Sequence, residues 1–372
     1  MAINVVGFLN LYDSPSLGEL TKHRTLGSTS FLGRFAIMDF ALSNFANANI
    51  DNINILVKDN FRSVSKHCGS LKSWISNTKK GSQNLLINED GIRNKKLNSD
   101  LNAIRFNDWV LYDSHPDYIV IQPAHIITSI NLNDVLDFHI KNNADITVVT
   151  KEIDDGKKSF LSSHILELDG NKVTHCVENL GAKKNVNVSL RTYVFSKDCF
   201  ITMLKHKDYR DAMSLRMVIE KVINEQSCNV LAYKHEGYAR CIDSFEHFME
   251  YSFELLDYSV AKQLFRYDYS VYTITRNTPP AIYGKNSEVK NCYIANGAVI
   301  SGKVENSIIS RYVEVEEGAV VKNSIILTKT VIKKGSVVEN ALVDKYGLVN
   351  GIVKGTKNKP IYIGQGKKVK WR

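Results

Sequence analysis

The sequence predicts an α/β domain with a largely parallel sheet, followed by a three-sided parallel β-solenoid. Three observations carry this prediction. Up to about residue 260, short apolar runs alternate with helical patterns, as expected for a parallel sheet covered by helices. After about residue 280 a 17-residue repeat takes over. Between the two, Thr278-Pro279-Pro280 stops any helix and favours an extended entry. A length of 372 residues suits two domains of ordinary size. The expected division is an α/β domain at 1–260, a linker at 261–285, and a solenoid domain at 286–372 ending in a basic tail.

In chain order, Ile3–Leu9 reads as the first strand and Ile53–Val57 as the next, with a helix from Asp39 to Ile50 between them. Asp39 opens that helix, where an N-capping role is the simple expectation. Tyr118–Ile121 is a short β-rich run expected to end before Pro123. A helix follows from Leu132 to Asn142, with Val135, Leu136 and Ile140 on one face. Ile146–Thr150 and Thr192–Phe195 read as further buried strands. Ligands of such sheets bind beyond the carboxyl ends of the strands, so chemistry is sought there.

In the second half, Asn306-Ser307-Ile308-Ile309 recurs as Asn323-Ser324-Ile325-Ile326 and loosely as Asn340-Ala341-Leu342-Val343. Ile309, Val315, Val321, Ile326, Ile332, Val338 and Val343 return every five or six residues, so three steps make one coil. Aliphatics at matching points of successive coils are expected to stack inward. Gly297, Gly318 and Gly335 fall at the corners. Acyltransferases built on such solenoids use a coil-borne histidine as base. The last histidine here is His247, before the solenoid, which excludes that chemistry.

With 44% hydrophobic and 23% charged residues, wholesale disorder is excluded. No apolar run approaches the ~18–20 residues that span a bilayer. The opening MAINVVGFLN has no basic lead or cleavage site, so a cytoplasmic protein without membrane association is expected. Cys68, Cys176, Cys199, Cys228, Cys241 and Cys292 are dispersed with no C-x-x-C pair, which argues against a disulfide framework or a zinc site. Buried, reduced thiols are expected. The net charge of +9 suits anionic ligands or an acidic partner. Lys357, Lys359, Lys367, Lys368, Lys370 and Arg372 read as a solvated tail. No recognition motif accompanies them, and no nucleic-acid partner is expected.

Residues 33–44, GRFAIMDFALSN, resemble a segment typical of bacterial glucose-1-phosphate adenylyltransferases. The resemblance extends over nearly the whole chain, including Leu20-Thr21-Lys22-His23-Arg24 and the solenoid. It implies a nucleotidyltransferase-like, Rossmann-like domain followed by a left-handed β-helix of hexapeptide repeats. It also implies a role in making ADP-glucose and pyrophosphate from ATP and glucose 1-phosphate.

Laid on this sequence, the family's catalytic motifs are broken one after another. Its glycine-rich phosphate loop, ending in Gly-Thr-Arg, falls on Leu11–Ser16, so Ser16 replaces the arginine and Pro15 removes an amide donor. The lysine of Lys-Pro-Ala-Val falls on Leu26. The metal-holding aspartate of Gly-Asp-His falls on Ala124, and the second one on Cys241. Neither a methyl nor a thiol supplies the hard oxygen that Mg²⁺ requires. Asp243, two residues on, is expected on the other strand face and is a poor substitute. In Glu-Lys-Pro the glutamate survives as Glu178 while the lysine becomes Asn179. The glycine of Ser-Met-Gly-Ile-Tyr is Arg191, after Ser189, where a long cation is expected to fill part of the sugar pocket. Glu178, Ser189 and Arg191 are what could remain of a sugar-phosphate pocket.

Phosphoryl-type transfer depends on positioning and charge stabilisation. Losing one electrostatic stabiliser typically costs about 10²–10³ in rate. Four charged positions are gone, and although such effects do not add, useful turnover is not expected. A whole fold without catalytic residues resembles the non-catalytic, GlgD-type subunit of the family. The resemblance then implies no cofactor in this chain, with Mg²⁺ in a catalytic paralogue that pairs with it in a heterotetramer. Phosphorylated small-molecule effectors are implied near His23, Arg24 and Arg34. The alternative for both arginines is that they only pair with carboxylates. His125 is expected as a packed strand-end residue rather than a general base. Two other functions remain open: an active enzyme recruiting Asp243 and His125, and a stand-alone sensor of a sugar phosphate or nucleotide.

Overall fold

The computed structural model describes residues 3–69, 72–75, 81–209 and 213–370. Nine strands of the first domain form one sheet: β1 Val5–Asn10, β2 Asn52–Val57, β3 Gln83–Ile87, β4 Tyr118–Pro123, β5 Ile146–Ile153, β6 His164–Asp169, β7 Lys172–Glu178, β8 Val186–Ser196 and β9 Val230–Lys234. Their order across the sheet is β3-β2-β1-β4-β8-β5-β9-β7-β6. β3, β2, β1 and β4 are mutually parallel, as are β5 and β9. β8 runs against both β4 and β5 between these groups, and β7 runs against its neighbours.

The sheet is thus mostly parallel with reversed strands inside it. These strands are buried on both faces and read as continuous apolar runs such as Ile119-Val120-Ile121. Pro123 ends β4 opposite Asn10, so the strand includes the proline expected to stop it; a last residue needs no further ladder donor. The helices expected after Asp39 and Leu132 are Met38–Asn47 and Leu132–Lys141. Val135 and Leu136 of the second are buried, Ile140 only partly.

Asp39 does not cap its helix. It lies in the first turn, fully buried, accepting from the Ala36 amide at 2.8 Å and pairing with His67 Nε2 at 2.6 Å.

In the second domain three parallel ladders make a left-handed β-helix. Ile308 pairs with Ile325 and then Leu342, and Val321 pairs with Val338 and then Val353. All seven aliphatics of the repeat are fully buried in one core. Gly297, Gly318 and Gly335 turn corners at φ +77°, +70° and +71°. The asparagines of the recurring Asn-Ser motif, Asn306, Asn323 and Asn340, take the left-handed conformation at another corner, at φ +46° to +47°.

The basic segment is not a tail. Residues 361–363 and 368–370 are strands of the last coil, Lys368 and Lys370 pair with Leu348 and Asn350, and Arg372 lies outside the described residues.

The two domains share a core. Leu17, Leu20, Leu26, Phe31, Phe40 and Phe248 pack with Ile308, Ile325, Leu327 and Leu342. Gly33, at φ +70°, comes so close to the solenoid that an added Cβ would lie 2.8 Å from the Ile309 carbonyl oxygen. Residues 269–274 strap across the helix Met38–Asn47: Asn47 donates to the Ser270 carbonyl, and the Tyr272 amide to Ser43 Oγ, at 2.8 Å each.

Candidate functional site

Beyond the carboxyl ends of β1 and β4 lies a cleft of about 390 Å³. Its walls include Asp13, Pro15, His125, Ser162, Arg191, Arg216, Cys241, Asp243 and His247. Its character follows from Arg191. β8 bulges between Ser189 and Tyr193, and Arg191 sits there at φ +50°, a conformation glycine adopts without cost. Ser189 Oγ accepts from its amide at 3.0 Å. The guanidinium turns into the cleft, donating to the Ser162 carbonyl at 2.6 Å and standing 3.7 Å from Asp13 and 3.4 Å from His125 Nε2. Between it and the ends of β1 and β4 only about 10 Å³ remains, room for no more than a single water.

Of the positions of the expected losses, Leu26, Ala124, Asn179 and Cys241 are buried. Ala124 is fully buried against Gly27, and Leu26 is buried in the shared core. Burial pushes the Cys241 thiol up to about 12, so it is no anionic ligand. Asn179 is buried and donates to the carbonyls of Gly156, Ser159 and Phe160, bracing that loop. Ser16 is exposed, 3.4 Å from Thr21 Oγ1. Where the resemblance places a phosphate loop, the amides of Leu11 and Tyr12 are bonded to the Leu56 carbonyl and Asn10 Oδ1.

Asp243 is not on an opposite strand face. Asp243 lines the same cleft as Cys241, because residues i and i+2 of an extended chain share a face, and it lies just past the end of the strand Ala239–Cys241. Its carboxylate is bonded to His247 Nδ1. Among the described residues no group of three His, Cys, Asp or Glu side chains is placed to hold a metal ion, and these donors do not fit Mg²⁺. His125 is buried; burial first, then Arg191 and Arg216, holds its pKa well below the usual value. Glu178 is exposed and 3.6 Å from Arg216, and neither it nor Ser189 lines the cleft.

Sequence reasoning missed Asp13 and Arg216 here, and Asp100 beneath them. Asp100 is buried, bonded to Asn10 and the Leu215 amide, and pushed up to about 6 by burial and then by Asp13.

A second cavity, of about 780 Å³, opens between the domains. His23, Arg24 and Arg34 all reach it, together with Lys66, Arg276, Arg311, Lys329 and Lys345, and among the described residues no acidic one lines it. Arg24 is already committed. It makes a buried, bidentate pair with Asp344 at 2.9 and 2.7 Å, and Tyr362 and Gln365 complete the cluster. Arg34 instead lies exposed over the Phe35 ring.

The other cations crowd one another. Burial, then Arg276 and Arg34, lowers the Arg311 pKa, and burial, then Arg24, pushes Lys345 down to about 8. Four of these residues lie in the linker or solenoid, so the segment around His23, Arg24 and Arg34 shows only one wall of the cavity. Sequence spacing gave no signal for the other.

A sheet domain with its cleft at the strand ends and a β-helix behind it is the architecture of a nucleotidyltransferase-type domain followed by a hexapeptide-repeat domain. Residues 17–239 match the nucleotidyl transferase family, and residues 280–357 match the GlmU-like C-terminal hexapeptide family. The chain belongs to the glucose-1-phosphate adenylyltransferase family, within which it is similar to GlgD. It is 30% identical to the glycogen biosynthesis protein GlgD of Bacillus subtilis, over 82% of this chain and 78% of that protein. Glucose-1-phosphate adenylyltransferases of Lachnospira eligens and Thermotoga maritima are 27% and 28% identical, over 81% and 82% of this chain and 71% and 73% of theirs. No helix among the described residues is long and apolar enough to cross a membrane.

Proposed function

We propose that this chain is a catalytically deficient, regulatory subunit of glucose-1-phosphate adenylyltransferase. In this reading it modulates ADP-glucose synthesis by a catalytic paralogue in bacterial glycogen synthesis, within a mixed tetramer in the cytoplasm. The observation that carries the reading is Arg191, whose guanidinium occupies the cleft where a sugar phosphate would need space. The replaced motif positions support it: Leu26 and Ala124 are used for packing, Asn179 braces a loop, and Cys241, which lines the cleft, is a buried thiol. Mg²⁺ belongs to the partner's site in this account. The cavity between the domains takes phosphorylated small-molecule effectors, for which its acid-free basic wall is suited. Contacts with the partner would bias the partner toward its competent state.

The test is ADP-glucose formation from ATP, glucose 1-phosphate and Mg²⁺ by this chain alone, a catalytic paralogue alone, and the two co-expressed. Silence from this chain with a changed rate or effector response in the mixture is expected. Turnover by this chain alone overturns the proposal. The basic cavity also favours a second reading, a stand-alone sensor of a phosphorylated ligand, which predicts saturable binding and no change in the paralogue.

A further inference from the structure

The six cysteines do not all behave as buried, isolated thiols. Cys68, Cys176 and Cys241 are buried, but Cys199, Cys228 and Cys292 are part-exposed. Cys199 and Cys228, 29 positions apart, bring their sulfurs to 3.9 Å. Cys199 stands in the first turn of the helix Lys197–Lys205, and Cys228 in the turn that enters β9. Both sit at the amino ends of the parallel strands, opposite the cleft.

Asp145 fixes the two segments together. Its carboxylate accepts from the Asn229 amide at 2.8 Å, and its carbonyl from the Ser196 amide at 3.1 Å. The pairing is therefore held by the backbone on both sides and is not a chance approach of two mobile side chains.

We propose that Cys199 and Cys228 are a redox-modifiable pair, which hydrogen peroxide converts to a disulfide and a dithiol reductant restores. The hydrogen bond donated by Cys199 stabilises the Cys228 thiolate and holds that thiol below its ordinary range, while burial works against it. Cys228 is thus the attacking sulfur. Its thiolate takes one peroxide oxygen, the O–O bond breaks, and the departing hydroxide collects the proton that Cys228 shed, giving water and a sulfenic acid. Cys199 sulfur then attacks Cys228 sulfur and releases its own proton, and the S–O bond breaks to give a second water. Two thiols lose two electrons and one peroxide becomes two waters. The disulfide would staple the helix to the turn before β9. It is independent of the proposed regulatory role.

The experiment treats the reduced full-length chain with hydrogen peroxide, blocks the remaining thiols and maps the peptides by mass. A linked peptide pair containing Cys199 and Cys228, cleaved by dithiothreitol, with Cys68, Cys176 and Cys241 still alkylated under denaturing conditions, is expected. In Cys199→Ser the link disappears and Cys228 is trapped as a sulfenic acid by dimedone. Wild-type chain that carries sulfinic acid at Cys228 without the link, links another pair, or leaves both thiols unchanged overturns the proposal. The wild-type map decides even where a variant fails to fold.

Discussion

The cleft at the strand ends and the cavity between the domains are both lined with polar and charged groups, yet they treat charge in opposite ways. In the cleft, Arg191 meets Asp13 and the Ser162 carbonyl, Asp243 meets His247, and Arg216 lies near Glu178. In the cavity, Arg34, Lys66, Arg276, Arg311, Lys329 and Lys345 share one lining that has no acidic member among the described residues. A site whose charges satisfy each other gains nothing from a charged ligand. One with unneutralised like charges gains whenever an anion enters. Arg191 therefore narrows one site and meets its charges, while the basic lining leaves the other available to an anion.

The largest test of this contrast falls on the residue that lines the cavity without belonging to its free charge. Asp344→Ala leaves Arg24 buried without its partner, and we expect a loss of about 3–5 kcal/mol in urea unfolding. A loss under about 1 kcal/mol would return Arg24 to the ligand-binding set. Next, Ala124→Asp puts a carboxylate at a fully buried position against Gly27. It should destabilise by roughly 3 kcal/mol and restore no ADP-glucose formation, because the other motif positions stay apolar or neutral. Strong activity in that single variant would mean the losses have been misread.

Third, Arg311→Ala should weaken pyrophosphate binding by calorimetry roughly tenfold to a hundredfold, as removal of one charge-assisted contact does. Arg191→Gly should leave it unchanged. Lys345 adds a pH signature to this binding. Folded Lys345 loses its proton near pH 8, against 10.5 for an ordinary lysine, and an anion favours its charged form. Affinity should fall as pH rises through 8, with proton uptake on binding. Without ligand the unfolded chain holds more protons between 8 and 10.5, so Lys345 makes stability rise with pH there, and Lys345→Met removes that rise.

The smallest effect is in the cleft. The Asp243 hydrogen bond raises the His247 pKa above 6.5. Its stabilisation is complete below pH 6.5 and lost as pH climbs through the raised folded value. Asp243→Asn should remove that slope, at a cost below about 1 kcal/mol; an unchanged pH profile would show that the pair contributes nothing.

Much of this was legible in the sequence. The inward aliphatics and corner glycines of the solenoid follow from its repeat, and Arg191 stands out because a glycine position had become a long cation. Asp243 does not meet its expectation, because residues two apart in an extended chain share a face and it joins Cys241 in the cleft. The basic last stretch reads as a tail in the sequence because its strands, such as Lys368–Lys370, have no pattern of their own and form only on the preceding coil. The pairing of Cys199 with Cys228 had no spacing signal.

By itself the sequence determined the order of the two domains, the coiling of the second and which residue types stand where the family's charged motifs are expected. Local periodicity and residue chemistry suffice for these. Only the tertiary structure decided which charges remain free. Arg24 and Arg34 are ten positions apart and alike in type, but one meets a carboxylate 320 residues away while the other faces a cavity. That difference is set by how the two domains pack, because a charge is neutralised by what lies within a few ångströms of it, at any distance along the chain.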